Sequence, residues 1–116
     1  MYNTMYREVS KMNPQLKKGL LDICVLAELK RKESYGYAII QDLEPLIEIS
    51  ESTLYPILKR LLKKQAIVSK SRIHNNRVRK YYQITKLGEK EIADFIDEWG
   101  QVETIFRFIK GENEDE

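Results

Sequence analysis

Six apolar side chains toward the C-terminal end, Ile92, Phe95, Trp99, Val102, Phe106 and Ile109, follow one another at steps of 3, 4, 3, 4 and 3 residues. Alternating steps of 3 and 4 make the a/d seam of a helix that packs along a second helix. A helix from about Leu87 to Ile109 would be roughly 35 Å long. A chain of 116 residues forms one domain, and a helix of that length outruns a domain of this size. The seam therefore predicts a second helix outside the body of the domain, and a constitutive homodimer supplies it. Gly100 lies inside this element and costs roughly 1 kcal/mol relative to alanine. The tail GENEDE (111–116) is acidic and without apolar residues, so it is expected to be disordered.

The segments before the seam read as three helices and a hairpin. Residues 1–13 hold Met5, Val9 and Met12 at helical spacing, which suits an arm or short helix, and Asn13-Pro14 breaks that pattern. Leu16, Leu20, Ile23, Cys24 and Ala27 then mark a first core helix, with Lys30, Arg31 and Lys32 at its C-terminal end, where cations complement the dipole. Ser34 is a candidate N-cap for a second helix carrying Ile39, Ile40 and Leu43 inward. Gly36 near its start suggests the close approach of another backbone, and Pro45 should end the helix near Glu44. Ile47 and Ile49 alternate with Glu48 like a very short strand. A third helix, capped by Ser50 or Ser52, runs to about Gln65 with Leu54, Leu58 and Leu61 inward. Pro56 argues for a start near Ser52, because only first-turn N–H groups lack a helical partner. Residues 66–73 and 78–85 are β-branched and aromatic around the polar turn HNNR, a hairpin anchored by Ile67, Val68, Tyr82 and Ile84.

Charge divides the chain. Residues 1–86 carry +9 and residues 87–116 carry −7, so the net +2 conceals a basic block beside an acidic one. Between residues 70 and 80 there are five cations, Lys70, Arg72, Arg77, Arg79 and Lys80, and no acid. Such a block seeks an anionic partner.

Three helices followed by a hairpin is the order of a winged helix-turn-helix. The fold class is therefore α+β, mostly α: a winged helix over 14–85 and a dimerisation helix over 86–110. The third helix would enter a DNA major groove with Ser52, Thr53, Tyr55, Lys59, Arg60 and Lys63 outward. Its cations would mainly meet phosphate, which positions the protein. Ser52, Thr53, Tyr55 and Lys59 or Arg60 would read bases. Arg77, Arg79 and Lys80 of the wing would reach the adjacent backbone or minor groove.

Three stretches, YGYAII (35–40), STLYPILKRLLKKQAI (52–67) and RKYYQITKLG (79–88), together resemble the PadR family of bacterial transcriptional regulators. Ala66 stands where that family often has glycine. The single C-terminal helix is similar to that of the smaller members. The resemblance implies a homodimeric repressor on a pseudo-palindromic operator, with half-sites about one helical turn apart. It also implies release by a phenolic or planar aromatic compound.

Several residues carry two readings. Trp99 is either dimer core or a shelf for a flat effector, with Asp97, Glu98 and Glu103 favouring cations. Tyr55 is either a groove contact or packing beneath the wing. Tyr81 is expected on the DNA side, Tyr82 in the core, and His74 in solvent. One His and one Cys form neither a catalytic dyad nor a metal cluster, and no Gly-rich phosphate loop is present, so no enzyme, cofactor or metal is expected. Neither a signal peptide nor a membrane span is legible, and a single Cys24 in an apolar run fits a cytoplasmic setting. The rival reading is a winged-helix module that meets an acidic protein or RNA without a specific operator.

Overall fold

The computed structural model describes residues 12–112. It contains α1 (Pro14–Arg31), β1 (Ser34–Tyr35), α2 (Gly36–Leu43), α3 (Glu51–Lys63), β2 (Ile67–His74), β3 (Arg77–Ile84) and α4 (Lys86–Ile109). The arm expected over 1–13 lies almost wholly outside the described residues. The expected disorder of 111–116 lies outside them from residue 113. Gly111, at φ +83°, and Glu112 close the C-terminal end of α4, the Glu112 N–H donating to the Arg107 carbonyl at 2.9 Å. That positive φ is the left-handed geometry for which glycine is suited.

Asn13-Pro14 starts α1, and the pattern that it is expected to break lies almost wholly outside the described residues. The Asn13 Oδ1 accepts from the N–H groups of Gln15 and Leu16 at 2.9 and 3.4 Å, and Pro14 takes the position where its missing N–H costs nothing. The buried face of α1 also differs from expectation. Leu21, Val25, Leu26 and Leu29 enter the core, whereas Leu16 and Ala27 are exposed and Leu20, Ile23 and Cys24 half-buried. This helix has two apolar faces, and periodicity does not rank them.

Ser34 is not a helix cap. It is buried in β1, opposite Tyr82 in an antiparallel pair. Tyr35 precedes α2 and makes no side-chain capping bond. The Gly36 neighbour is a side chain rather than a backbone: a Cβ there would meet the Tyr55 hydroxyl at 2.7 Å. Ile47 and Ile49 form no strand, yet both are buried in the connection between α2 and α3.

Helix α3 packs Leu54, Ile57, Leu58 and Leu61 inward at 0–3% exposure. Each such side chain contributes roughly 1.5–3 kcal/mol by burial. Ser50 is the cap, its Oγ accepting the Thr53 N–H at 3.3 Å. Pro56 therefore sits past the first turn, where it removes one helical hydrogen bond on the exposed side.

The three-stranded antiparallel sheet has the order β1-β3-β2. Strands β2 and β3 pair from Ile67↔Ile84 to His74↔Arg77. The turn is only Asn75-Asn76, at φ 52° and 63°, tighter than the four-residue HNNR turn expected. Two left-handed residues match the twist of a hairpin, and asparagine tolerates that region. Ile67, Tyr82 and the half-buried Ile84 anchor the hairpin, but Val68 is 46% exposed and does not. Helix α4 is capped by Thr85, whose Oγ1 accepts the Gly88 N–H at 3.1 Å. Its first turn passes the connection between α3 and β2 so closely that a Cβ on Gly88 would stand 2.3 Å from the Ala66 carbonyl oxygen.

Candidate nucleic-acid interface

The outward side of α3 follows from its sealed inner stripe. With Leu54, Leu58 and Leu61 buried, Ser52, Thr53, Tyr55, Lys59, Arg60 and Lys63 are exposed. At the N-terminal end the Ser50, Ser52 and Thr53 hydroxyls cluster, with Ser50 Oγ 3.0 Å from Ser52 Oγ and 3.1 Å from Thr53 Oγ1. Lys59 and Lys63 form no ion pair among the described residues. Arg60 is on the same side but engaged: Nη2 and Nε donate to the Asp22 carboxylate at 2.7 and 3.4 Å. Tyr55 is 49% exposed, its hydroxyl lying against Gly36. The hydroxyl is thus packed at the start of α2 while about half of the side chain stays open to solvent.

The wing stands beside this face. Between them opens a cleft of about 600 Å³ lined by Tyr35, Tyr55, Arg77, Arg79, Lys80 and Tyr82, among others. Tyr82 closes its floor, and burial, with Tyr55 nearby, pushes its hydroxyl above the ordinary tyrosine range. Arg77 and Lys80 are exposed and have no ion-pair partner among the described residues. Arg79 lies over the Tyr35 ring, 4.3 Å from its centroid.

Sequence reasoning missed the device at the wing base. Glu33 and Arg72 form a two-pronged ion pair. Arg72 also lies 5.0 Å from the Tyr81 ring centroid, and Tyr81 meets Tyr35 edge-on at 5.3 Å and 63°. Glu33, Arg72, Tyr81, Tyr35 and Arg79 thus form one continuous stack from the end of α1 to the wing. It neutralises Arg72 and holds Arg79. Tyr81, expected on the DNA side, is half-buried within this stack. The only signal in the sequence was a lone acid opposite a basic block, separated by 39 residues.

Behind the wing, α4 leaves the domain. Ile92 is buried in the chain's own core, so it does not belong to an outward seam. Phe95 is half-buried and meets Trp99 with ring centroids 5.8 Å apart. Beyond it, Trp99, Val102, Phe106 and Ile109 are 38%, 45%, 53% and 71% exposed, and Ile96, Ile105 and Phe108 widen the apolar surface past the seam. Trp99 stands between two concavities. One, of about 500 Å³, runs between α1 and α4 past Leu16, Leu20 and Ile23, with Asp94 and Glu98 at its edge. The other, of about 640 Å³, lies along α4 by Ile96, Gly100 and Phe106. Lys64 Nζ and Glu91 Oε2, 2.7 Å apart, tie the end of α3 to α4.

The model of the transcriptional regulator PadR-like family matches residues 25–94, more than half of the chain. The chain belongs to the PadR-like family. The matched residues run from the middle of α1 through the wing into α4, and so include the whole of the α3–wing surface. A Lysinibacillus sphaericus relative, an uncharacterized protein, is 35% identical over 100 residues, covering 81% of this chain and 92% of that one. A PadR-family regulator from Eggerthella lenta superposes with a TM-score of 0.78 at 30% identity, over 92% of this chain and 96% of that one. Bacillus subtilis PadR, solved in complex with operator DNA, superposes with a TM-score of 0.61 at 26% identity, over 66% of this chain and 46% of that longer one. The PadR-like fold is thus a winged helix of DNA-binding transcriptional regulators. No helix among the described residues is long and apolar enough to cross a membrane.

Proposed function

We propose that this chain is a homodimeric repressor that binds a pseudo-palindromic operator and leaves it when a planar aromatic or phenolic compound binds at Trp99. The observation that carries this reading is the α3–wing surface. Helix α3 is sealed on its apolar side, and its outer side presents hydroxyls, Lys59 and Lys63 beside a wing that adds Arg77, Arg79 and Lys80. The α3 side would enter the major groove, with lysines on phosphate and Ser52, Thr53 and Tyr55 toward base edges. Arg60 would join them only by exchanging Asp22 for phosphate.

Two copies would meet along α4 from Phe95 to Ile109, covering apolar side chains that one chain leaves exposed. A flat compound would stack on Trp99, and Asp94 and Glu98 would favour a cationic one. The Lys64–Glu91 tie offers a route from that groove to α3. A small change in the tilt of α4 would move the end of the reading helix, and a coupling of effector to DNA needs such a differential contact.

The test is selection of genomic fragments at physiological salt, then titration of the bound complex with planar aromatic compounds while following Trp99 fluorescence. Quenching of Trp99 together with release of DNA supports the reading. Salt-labile binding with no preferred site would favour the module that meets acidic protein or RNA.

A further inference from the structure

The wing tip carries a feature that cations alone do not explain. Ile73 and Val78 face each other in register at the end of the hairpin, and they are 79% and 73% exposed. No other described hydrophobic side chain is more exposed than these two. They stand on the face of the hairpin that holds Lys80 and Tyr82, because side chains two apart along a strand share a face. Val78, Lys80 and Tyr82 of that face line the cleft, together with Arg77 and Arg79 of the other face. The two-residue turn Asn75-Asn76 makes the tip narrow, and His74 pairs in register with Arg77 beside it. The tip therefore joins two apolar side chains, two amides and one guanidinium with no ion-pair partner among the described residues. There is no acid between residues 70 and 80.

This combination suits one groove of duplex DNA. Along B-DNA the major and minor grooves alternate across each phosphate strand. With α3 in the major groove, the cleft, with its cations and tyrosines, straddles the intervening strand, and the tip arrives at the minor groove. The walls there are deoxyribose carbons, which accept apolar contact. The floor shows only acceptors at A·T pairs, whereas a G·C pair adds the guanine amino group. Amide and guanidinium donors can meet the acceptors, and A·T-rich grooves are narrow and attract arginine. A projecting amino group would instead meet Ile73 and Val78 and lose its hydration without a partner.

We propose that Ile73, Val78 and Arg77 form a minor-groove reader that selects A·T over G·C pairs flanking the α3 half-site. The proposal rests on α3 occupying the major groove. It gives the apolar pair a sequence-discriminating role beyond the backbone contacts of the wing cations.

The test uses the full-length protein and duplexes carrying a selected site, with the flanking pairs set to A·T, G·C or I·C. Inosine keeps the major-groove face of guanine but lacks its minor-groove amino group. The expected result is a weakening of roughly five- to a hundredfold with G·C, the range for one misread pair, and recovery with I·C. Ile73→Thr with Val78→Thr, which keeps β-branched side chains in the strands, should shrink that discrimination while leaving the preference within the α3 half-site unchanged. Arg77→Ala should likewise shrink the discrimination. A salt slope lowered by about 0.9, one phosphate's worth, with the discrimination intact would put Arg77 on the backbone and overturn its place in the reader. If I·C binds like G·C, or if the double variant discriminates as wild type does, the proposal is overturned although the α3 reading stands. Loss of preference at the α3 half-site itself, with all three flanks equal, overturns both.

Discussion

Helices α3 and α4 are both amphipathic, but they stand differently in the single chain. The apolar stripe of α3 is 0–3% exposed, whereas of the α4 seam Ile92 alone is buried and Trp99 to Ile109 are 38–71% exposed. The first helix is complete within one chain and has spent its apolar side, so its polar side must serve something else. The second is half-finished, and its apolar side must find another surface. The same periodicity therefore marks a core element in one place and an exposed apolar stripe in the other. What separates them is how far each helix runs past the sheet and α1 that could cover it.

The contrast can be broken most forcefully at α4. Val102→Glu with Phe106→Glu should yield monomers by sedimentation and keep the helical circular-dichroism spectrum. Operator affinity should fall by about 100- to 10,000-fold, the scale of lost bivalency. An unchanged sedimentation coefficient would move the interface away from α4. The counterpart in α3 is Leu58→Ala, which should lower stability to urea by about 2–5 kcal/mol, the usual cost of a core cavity. A loss well under 1 kcal/mol would mean that the stripe is not sealed.

Smaller changes sharpen the polar side. Tyr35→Leu opens the stack that holds Arg79, and we expect roughly a tenfold loss of operator affinity, about 1.4 kcal/mol, with the salt slope unchanged. Tyr35→Phe keeps the ring and should bind as wild type; a loss there would instead make the Tyr35 hydroxyl a direct contact. Lys63→Ala should weaken binding to every duplex several-fold and lower the salt slope by about 0.9. A change of sequence preference would make Lys63 a base reader.

The smallest expected effect concerns the core under α1 and α2. Glu28 is 3% exposed, its Oε1 accepting from Arg31 at 3.0 Å while Oε2 has no hydrogen-bond partner among the described residues. Burial, then the facing Asp42, raises its carboxyl above the ordinary value, against the pull of Arg31. A raised folded-state value means that the folded chain holds this proton longer than the unfolded one. Stability from this group is full below the ordinary carboxylate range and declines as pH rises from there through the folded-state value. Glu28→Gln removes that decline. It should be more stable than wild type by about 1 kcal/mol at neutral pH, with the gain vanishing below pH 4, as read by urea titration across pH. A gain that persists at acid pH would show that the carboxyl is not the cause.

Local pattern carried most of the fold and less of the site. The α3 stripe and the hairpin were legible because each is a repeat within one element. The two faces of α1 were not, because Leu16, Leu20 and Ile23 have the same spacing as a core stripe and only the neighbours decide between them. Strand β1 is two residues long, too short to show a period. Ile47 and Ile49 alternate as a strand does, but no partner strand takes their backbone. Ile92 continues the seam in sequence, yet the core claims it first. The pairings Arg60–Asp22 and Arg72–Glu33 join residues 38 and 39 apart, which no local pattern reveals. They decide which cations of this surface are ion-paired among the described residues.

The most direct measurement is hydroxyl-radical footprinting of the full-length protein on a genomic fragment that it selects at physiological salt. Two protected patches related by a two-fold axis, about one helical turn apart, are the expected result, with Val102→Glu/Phe106→Glu abolishing both together. A single protected patch, or two that the α4 variant leaves intact, would contradict a dimer joined through α4 with one α3 in each half-site.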